Sequence, residues 1–521
     1  MSSQSVLLIH PPPDLEEAVD PTDHLMRIVP SGLQFVAEHL RSSGLHAVIL
    51  RLEIMAANSV EGRREVPGLG GYRDLLAEVL AIAGEVSVVG IQCHWSFYQP
   101  GALQTAALLK ELRPDLFIVL GGAHASAMPQ ELLNAVPALD AIVVGEGELA
   151  MEALTLAAAE GPPDTTPIAG VWWRGADGSP LAPLEPAAIL DRDALPQLSF
   201  DSTLLFPPNA AQYVGLPLVR GICPMRCTFC TLNNAEVYNR DNAFMDARLE
   251  EQLVRMNEVG VPLYLPENIF TADPLQSVLD IVRRRDLDRL VVFLDIHPSM
   301  LRPEMIALLT ELNSLTVGVR LWIGIESADD RVRRKMGRFI DDEKLEGILN
   351  AVLSSGIQNL SASFMSGLPG EDDQAHQRTR AMVADLSSRG VHVDIYPPVA
   401  FPGTKWFDDP DSFGIDLRVQ SVDDLNRLGQ GWFGPLTEGM ISFTTGSETP
   451  ATVIERIFDL RILSRQKRDL PIPLSLFSYM MHPRRELRES DQATILDQVQ
   501  KYLLGFDVLK WNDSRPERLS D

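Results

Sequence analysis

Apolar positions along this chain come in short blocks set between amphipathic stretches, and the alternation runs twice. Ser5–Ile9 is an apolar run of strand length, and Pro30–Ser42 carries an apolar stripe at Leu33, Val36, Ala37 and Leu40, the spacing of one helix face. Val48–Leu50 predicts a second strand. The pattern continues as strand Val86–Ile91, helix Gly101–Leu112, strand Leu116–Leu120, a Gly121-Gly122 turn, helix Gln130–Ala135 and strand Ala141–Val144. Strands alternating with helices predict a doubly wound parallel sheet, and unbroken apolar runs mean that both its faces are covered. Ligands of such sheets bind outside the carboxyl ends of the strands. The loops falling there are His10–Pro13, Gln92–Tyr98, Gly121–His124 and Gly145–Glu148.

From Gly161 to Pro196 the chain is rich in Pro, Asp and Gly and reads as a linker with a small hairpin around Val171–Arg174. Alternation then resumes with strands Leu263–Leu265, Val291–Ile296, Leu321–Ile325, Leu360–Met365 and Val393–Tyr396. With a strand leading into Cys223, these predict a partial (β/α)6 barrel whose functional groups collect at its C-terminal mouth. Beyond about Phe413 the alternation stops, and Trp432-Phe433, Arg456–Arg461 and Ile495–Leu504 suggest a mostly helical remainder. The expected division is 1–160, a linker over 161–210, a barrel over 211–412 and a C-terminal region over 413–521.

Composition narrows the function. A chain of 521 residues with 45% hydrophobic and 22% charged residues is an ordinary globular mixture, long enough for two or three cores. No apolar run is long enough to cross a bilayer, and Met1-Ser-Ser-Gln lacks the features of a signal peptide, so a cytoplasmic location and no membrane partner are expected. The net charge of −26 would repel a phosphate backbone, which argues against nucleic acid. The densest basic run, Arg331–Lys335, has helical spacing and reads as a solvated face.

Three of the four cysteines stand at Cys223, Cys227 and Cys230, a C-x3-C-x2-C spacing. A structural zinc site wants four ligands, and the nearest histidines are His124 and His297. Three thiolates suit a four-iron cluster with one iron left open. The bland alternative is three buried cysteines with no common role. Cys93, at a strand end beside His94, reads as a small buried cysteine.

With Phe229 before the last cysteine, the motif resembles the signature of the radical S-adenosylmethionine (SAM) superfamily. Four later segments resemble the rest of that barrel: Pro266–Asp273, Gly324–Ser327, Ser366–Glu371 and Phe401–Thr404, each at a strand end. The resemblance implies a 4Fe-4S cluster on the three cysteines, an acid at Glu267 near the cluster, and SAM contacts from Phe229, Glu326, Ser327, Gly367, Gly370 and Glu371. His297 and Tyr396 face the same mouth and are candidates for touching substrate or relaying a proton.

The N-terminal loops resemble a cobalamin-binding domain. On that resemblance Pro11, Gln92, His94, Ser96, Gly121, Gly122, His124, Gly145, Glu146, Gly147 and Glu148 would line the cobalamin site. One feature departs from it: many such domains carry Asp-x-His-x-x-Gly after the first strand, whereas Pro11–Val29 holds only Asp23-His24. The cobalt is therefore expected to have no protein histidine on it.

Together, roughly the first 410 residues resemble the cobalamin-dependent radical SAM enzymes. Most of these are methyltransferases acting on poorly activated carbon or phosphorus, often in specialised-metabolite and antibiotic biosynthesis. In the family mechanism a deoxyadenosyl radical abstracts hydrogen from a small-molecule substrate, which then takes methyl from methylcobalamin. An electron donor of flavodoxin or ferredoxin type is implied. A tryptophan C2-type transfer without hydrogen abstraction, a ring contraction or cyclisation, and a non-catalytic cobalamin carrier or sensor remain as alternatives.

Overall fold

A computed structural model describes residues 5–16, 31–52, 68–82, 86–159, 167–191, 194–196, 214–215, 219–221, 223, 225–233, 243–244, 249–259, 263–265, 271–357, 359–432, 436–446 and 448–465. The first sheet contains β1 (Ser5–His10), β2 (His46–Arg51), β3 (Val86–Gln92), β4 (Phe117–Gly121), β5 (Ala141–Val143), β6 (Val171–Arg174) and β7 (Pro180–Leu181). Its order is β2-β1-β3-β4-β5-β6-β7, and the first five strands are parallel. Successive residues point to opposite faces, and both faces are dry. Leu7, Ile9, Val89, Ile91 and Leu120 form one core with helices Gly68–Ile82 and Gln99–Leu112. Val6, Leu8, Val88, Val119 and Val143 form the other, against helices Ser31–Ser42 and Glu148–Ala159.

The predicted hairpin is present, but it is not a free-standing feature of the linker: β6 pairs antiparallel with β5 and extends the sheet. Helix Gly68–Ile82 has no counterpart in the elements predicted from the sequence. It opens on Gly-Leu-Gly-Gly, a turn-like start, and is held by burial of Tyr72, Leu76, Val79 and Leu80.

After β8 (Val214–Gly215), β9 (Val219–Arg220) pairs antiparallel with β10 (Ala243–Phe244). Then come β11 (Leu263–Leu265), β12 (Val291–Ile296), β13 (Gly318–Glu326), β14 (Asn359–Met365) and β15 (His392–Tyr396). The order β15-β14-β13-β12-β11-β8 is parallel throughout, as predicted for six β/α units. Leu294, Leu321, Ile323, Ala362 and Ile395 pack outward on the helices. The alternate residues face inward and are polar or aromatic: Tyr264, Asp295, Trp322, Ser363 and Tyr396. Four rings run across the strands in sequence, Tyr264 on Phe293 at 5.3 Å, Phe293 on Trp322 at 6.5 Å and Trp322 on Tyr396 at 6.4 Å.

The C-terminal region joins both halves. β16 (Ile415–Leu417) pairs antiparallel with β17 (Phe443–Thr445), and helix Val422–Trp432 lies between them in sequence. Val419, Val422, Leu425 and Leu428, with Val399 from the exit of β15, belong to the same core as Leu7 and Ile91. Gly429 presses on the first sheet's helix: a Cβ there would lie 2.8 Å from Pro100. Helix Pro450–Arg465, which contains the predicted Arg456–Arg461 segment, runs beside β15, and Arg461 donates to the Ile395 carbonyl at 2.8 Å. The predicted helix Ile495–Leu504 lies outside the described residues. Among those residues no helix is long and apolar enough to cross a membrane.

Candidate active site

The cysteine loop is short and closed on itself. Cys223 N–H donates to the Leu232 carbonyl at 3.2 Å, and Cys230 N–H to that of Cys227 at 3.2 Å. Cys223 and Cys227 are buried and Cys230 is half-buried, with no disulfide among them. Arg226, in the middle, has φ +53°, one of three non-glycine residues described with positive φ. Such a conformation is strained, and strain persists only where the surroundings enforce it. Here Gly337 abuts the Arg226 carbonyl, which a Cβ would approach to 2.7 Å, and Thr228 N–H donates to Met336 O at 2.9 Å. The loop is thus seated on the turn that ends helix Asp330–Lys335.

The second strained residue is Glu326, φ +66°, at a bulge where β13 shifts register against β14. Its carboxylate pairs with Arg338 at 3.3 Å, both side chains about nine-tenths buried. The same guanidinium lies 5.3 Å over the Phe229 ring and donates to the Gly324 carbonyl. Phe229 also packs 5.4 Å from Trp406. Arg338 therefore links the cysteine loop to the end of β13 through Phe229 and Glu326. No periodicity or motif marked it in the sequence.

Other predicted residues hold the mouth together. Glu371 accepts from the N–H groups of Gly367 (2.7 Å) and Leu368 (3.0 Å) and from Ser366 Oγ (3.1 Å), closing its own turn. Gly367 and Gly370 have φ +94° and +83° in that turn, and Gly367 is backed by Val453 of the C-terminal helix. Ser327 is buried, and its Oγ accepts from Asp329 N–H at 3.2 Å. Tyr396 stands on Trp322 across the barrel. Glu267 lies outside the described residues. The basic run is corrected in part: Arg331 and Arg334 are solvated, but Arg333 is fully buried and binds the carbonyls of Ser327 and Ile340 and the carboxylate of Asp342. A long guanidinium reaching inward satisfies backbone that the turn leaves open.

His297 follows β12 and is 6% exposed. Its Nδ1 accepts from Ser299 N–H at 3.1 Å, while its Nε2 is buried without a partner. Burial, and then the Arg338 charge, lower its pKa to about 2. Both effects favour the neutral form of the imidazole.

At the sheet edge, chain order reverses between β1 and β3, the switch point at which such sheets take ligands. The loops there are tightly packed. Gly101 lies on the Pro12–Pro13 backbone, where a Cβ would fall 1.8 Å from Pro12 O, and Pro11 is buried beside it. Gly122, φ +112°, lies on the Cys93–His94 backbone. Among the described residues nothing lies within 4 Å of where a Cβ on Gly121 would stand, and the buried Gln92 Oε1 has no partner. Gly145 N–H donates to Ser126 Oγ at 3.1 Å, Glu146 and Glu148 are buried, and Gly147 touches Val36. Desolvation, then His10, lower the pKa of His94 to about 4. Burial pushes the Cys93 thiol up, so it is an inert core cysteine.

His124 and Ser96 turn toward each other. His124 Nδ1 meets Ser96 Oγ at 2.9 Å and Nε2 meets Gln99 Oε1 at 2.7 Å. Gln99 in turn donates to Val422 O and Asn426 Oδ1. Burial lowers the His124 pKa to about 3. The ring has no nitrogen left for a ligand; it ties the loop after β3 to helix Val422–Trp432.

Among the described residues, no three His, Cys, Asp or Glu side chains converge on a single-ion site. Three unoxidised thiols on one strained loop beside a bulged carboxylate are instead the donor set of a cluster with an open iron. Room beside Gly121 among the described residues and an unpaired amide oxygen at a switch point suit a large flat ligand. The donor sets thus fit the cofactors expected. The barrel portion, residues 219–383, matches the Radical SAM superfamily, which gives the class of protein. Residues 26–155 match the B12 binding domain. The chain thus combines a B12 binding domain with a Radical SAM domain, and its cofactors are cobalamin, SAM and a 4Fe-4S cluster.

Curated relatives include the anaerobic magnesium-protoporphyrin IX monomethyl ester cyclase of Rubrivivax gelatinosus, 26% identical over 58% of this chain and 54% of its own. An uncharacterised methyltransferase of Pyrococcus horikoshii is 25% identical over 58% of this chain and 65% of its own. The 2-(S-pantetheinyl)-carbapenam-3-carboxylate methyltransferase of Streptantibioticus cattleyicolor is 26% identical over 45% of this chain and 33% of its own. The chain thus spans a third to two thirds of the length of these relatives. The solved structure of the cobalamin-dependent SAM radical enzyme OxsB, with aqua-cobalamin and SAM bound, superposes with a TM-score of 0.61 at 12% identity. The match covers 96% of this chain and 71% of that one, and establishes the shared fold.

Proposed function

We propose that this protein is a methyltransferase that passes a methyl group from SAM, by way of cobalamin, to an unactivated carbon of a small-molecule metabolite. The observation that carries the reading is the joint between its two ligand edges. The exit of β15 and helix Val422–Trp432 enter the core of the first sheet and bond the loop after β3. Both strand-end surfaces therefore flank one segment, as a chamber shared by two cofactors requires. Methyltransferases among the relatives support the same reading.

In this reading Cys223, Cys227 and Cys230 hold the cluster, Glu326, Ser327 and the Ser366–Glu371 turn bind SAM, and the loops at Gln92, Gly121–Gly122 and Gly145–Glu148 bind cobalamin. When bound, these groups supply radical generation and a cobalt-borne methyl; the protein supplies placement and exclusion of water. A barrel over 211–412, a C-terminal region over 413–521, a cytoplasmic setting and a flavodoxin- or ferredoxin-type electron donor belong to the same proposal.

The test is mass spectrometry of products from the reconstituted enzyme given candidate acceptors and SAM with a deuterated methyl group. A product heavier by one labelled methyl supports the reading. S-adenosylhomocysteine with 5′-deoxyadenosine marks hydrogen abstraction, and S-adenosylhomocysteine alone marks direct transfer. Methylation that proceeds equally without cobalamin would overturn the reading. A ring-closed, unmethylated product would favour chemistry of the cyclase kind, which the Rubrivivax relative makes the second choice.

A further inference from the structure

The buried imidazole of His297 has one nitrogen committed and one not. Its Nδ1 accepts the Ser299 N–H, so the ring proton resides on Nε2, and that N–H is buried with no acceptor. An orphaned buried donor is rare and costly, and its usual explanation is a ligand. The position is specific. Asp295 lies opposite Trp322 in the parallel ladder, so the next inward residue, His297, comes level with Gly324. Gly324 has no side chain there, since a Cβ would meet the Glu326 carboxylate at 2.7 Å and Arg338 at 3.3 Å. Arg338 donates to the Gly324 carbonyl and lowers the His297 pKa, which puts these groups in one place.

We propose that His297 binds SAM, as a fixed Nε2–H donor to a hydroxyl or carboxylate oxygen of the molecule lying beside Glu326. The proposal rests on the reading that Glu326 and Ser327 form the SAM site. With Nδ1 committed to the Ser299 N–H, the ring offers its Nε2–H as a donor. Ser299 fixes the tautomer, and Arg338 keeps a second proton away. His297 is thus a specificity device, rewarding an acceptor at one point in the chamber.

Two substitutions separate this role from a purely structural one. Asparagine at 297 reproduces the Nδ1 acceptor for Ser299 but cannot reach the Nε2 position. Glutamine reaches that position with an amide donor but gives up the Nδ1 acceptor. The experiment is calorimetric titration of SAM into the full chain, carrying cluster and cobalamin, under anaerobic conditions, with melting temperature measured alongside. His297→Asn should weaken SAM binding by about tenfold or more with an unchanged melting temperature, and His297→Gln should stay within about threefold of the unsubstituted protein. Unaltered affinity in His297→Asn would overturn the proposal, as would a loss in His297→Gln equal to that in His297→Asn, because the histidine would then be only a turn cap. Absence of SAM binding by the unsubstituted protein is a different failure and would remove the SAM site itself.

Discussion

His124 and His297 stand at the C-terminal edges of the two parallel sheets, both buried and both held neutral by desolvation. Their surroundings differ in one respect. His124 has a partner on each nitrogen, Ser96 and Gln99, and the chain of bonds runs on into helix Val422–Trp432. His297 has Ser299 on one side and nothing on the other. A buried donor that is satisfied is part of the scaffold; one left unpaired is waiting for an acceptor. The sheet edge is accordingly built by close packing and closed networks around one patch at Gly121, where the buried Gln92 Oε1 is left without a partner. The barrel mouth keeps strain at Arg226 and Glu326 and an unmet hydrogen bond.

The largest expected effect separates the two edges outright. Replacing Cys223, Cys227 and Cys230 together by Ala should remove all cluster iron, while Cys93→Ala, in the sheet's core, leaves iron content unchanged. Iron analysis of the two purified variants reads the contrast. A full cluster in the triple variant would break it.

Packing comes next. Gly101→Ala places a methyl within 1.8 Å of the Pro12 carbonyl, backbone against backbone, so the sheet edge must shift. Urea unfolding should show a loss of about 3 kcal/mol or more. A loss under about 1 kcal/mol would mean that this edge is looser than its geometry.

His124→Leu should cost about 2–4 kcal/mol, because Ser96 and Gln99 lose their partner inside the protein. His297→Asn should cost less in the same urea experiment, since it keeps the Ser299 bond. Equal losses would erase the distinction between scaffold and site.

The smallest effect is shared by the pair. An unfolded histidine binds a proton below about pH 6.5, whereas these two resist it down to about 3 and about 2. The unfolded chain then holds more protons, so stability is full above pH 6.5 and falls as the pH drops below it. Each ring contributes about 1.4 kcal/mol per pH unit in that window. Unfolding measured from pH 7 to 5 should show the slope, reduced by one proton in His124→Leu. A slope unchanged by that substitution would show that His124 is protonated in the fold.

Much of this was legible in the residues. The C-x3-C-x2-C spacing, six barrel strands and the strand-end loops of the sheet needed only local patterns. Residues whose roles depend on a distant partner did not show. Gln99 and Asn426 meet across more than three hundred positions, and Arg338 meets Phe229 across more than a hundred. Arg333 looked like a solvated charge because helical spacing cannot tell which carbonyls a turn leaves open.

Element order, the two parallel architectures and the thiol triplet followed from the residues alone, because hydrophobic period and residue type act within a few positions of each other. Chain closure was needed to decide that helix Val422–Trp432 completes the first sheet's core and that His124 is spent on Ser96 and Gln99. It also decided that His297 is left with a proton to donate. Each of those outcomes depends on which groups meet when distant segments pack, and hydrogen bonding in a dry interior is settled by the partners present, not by the residue alone.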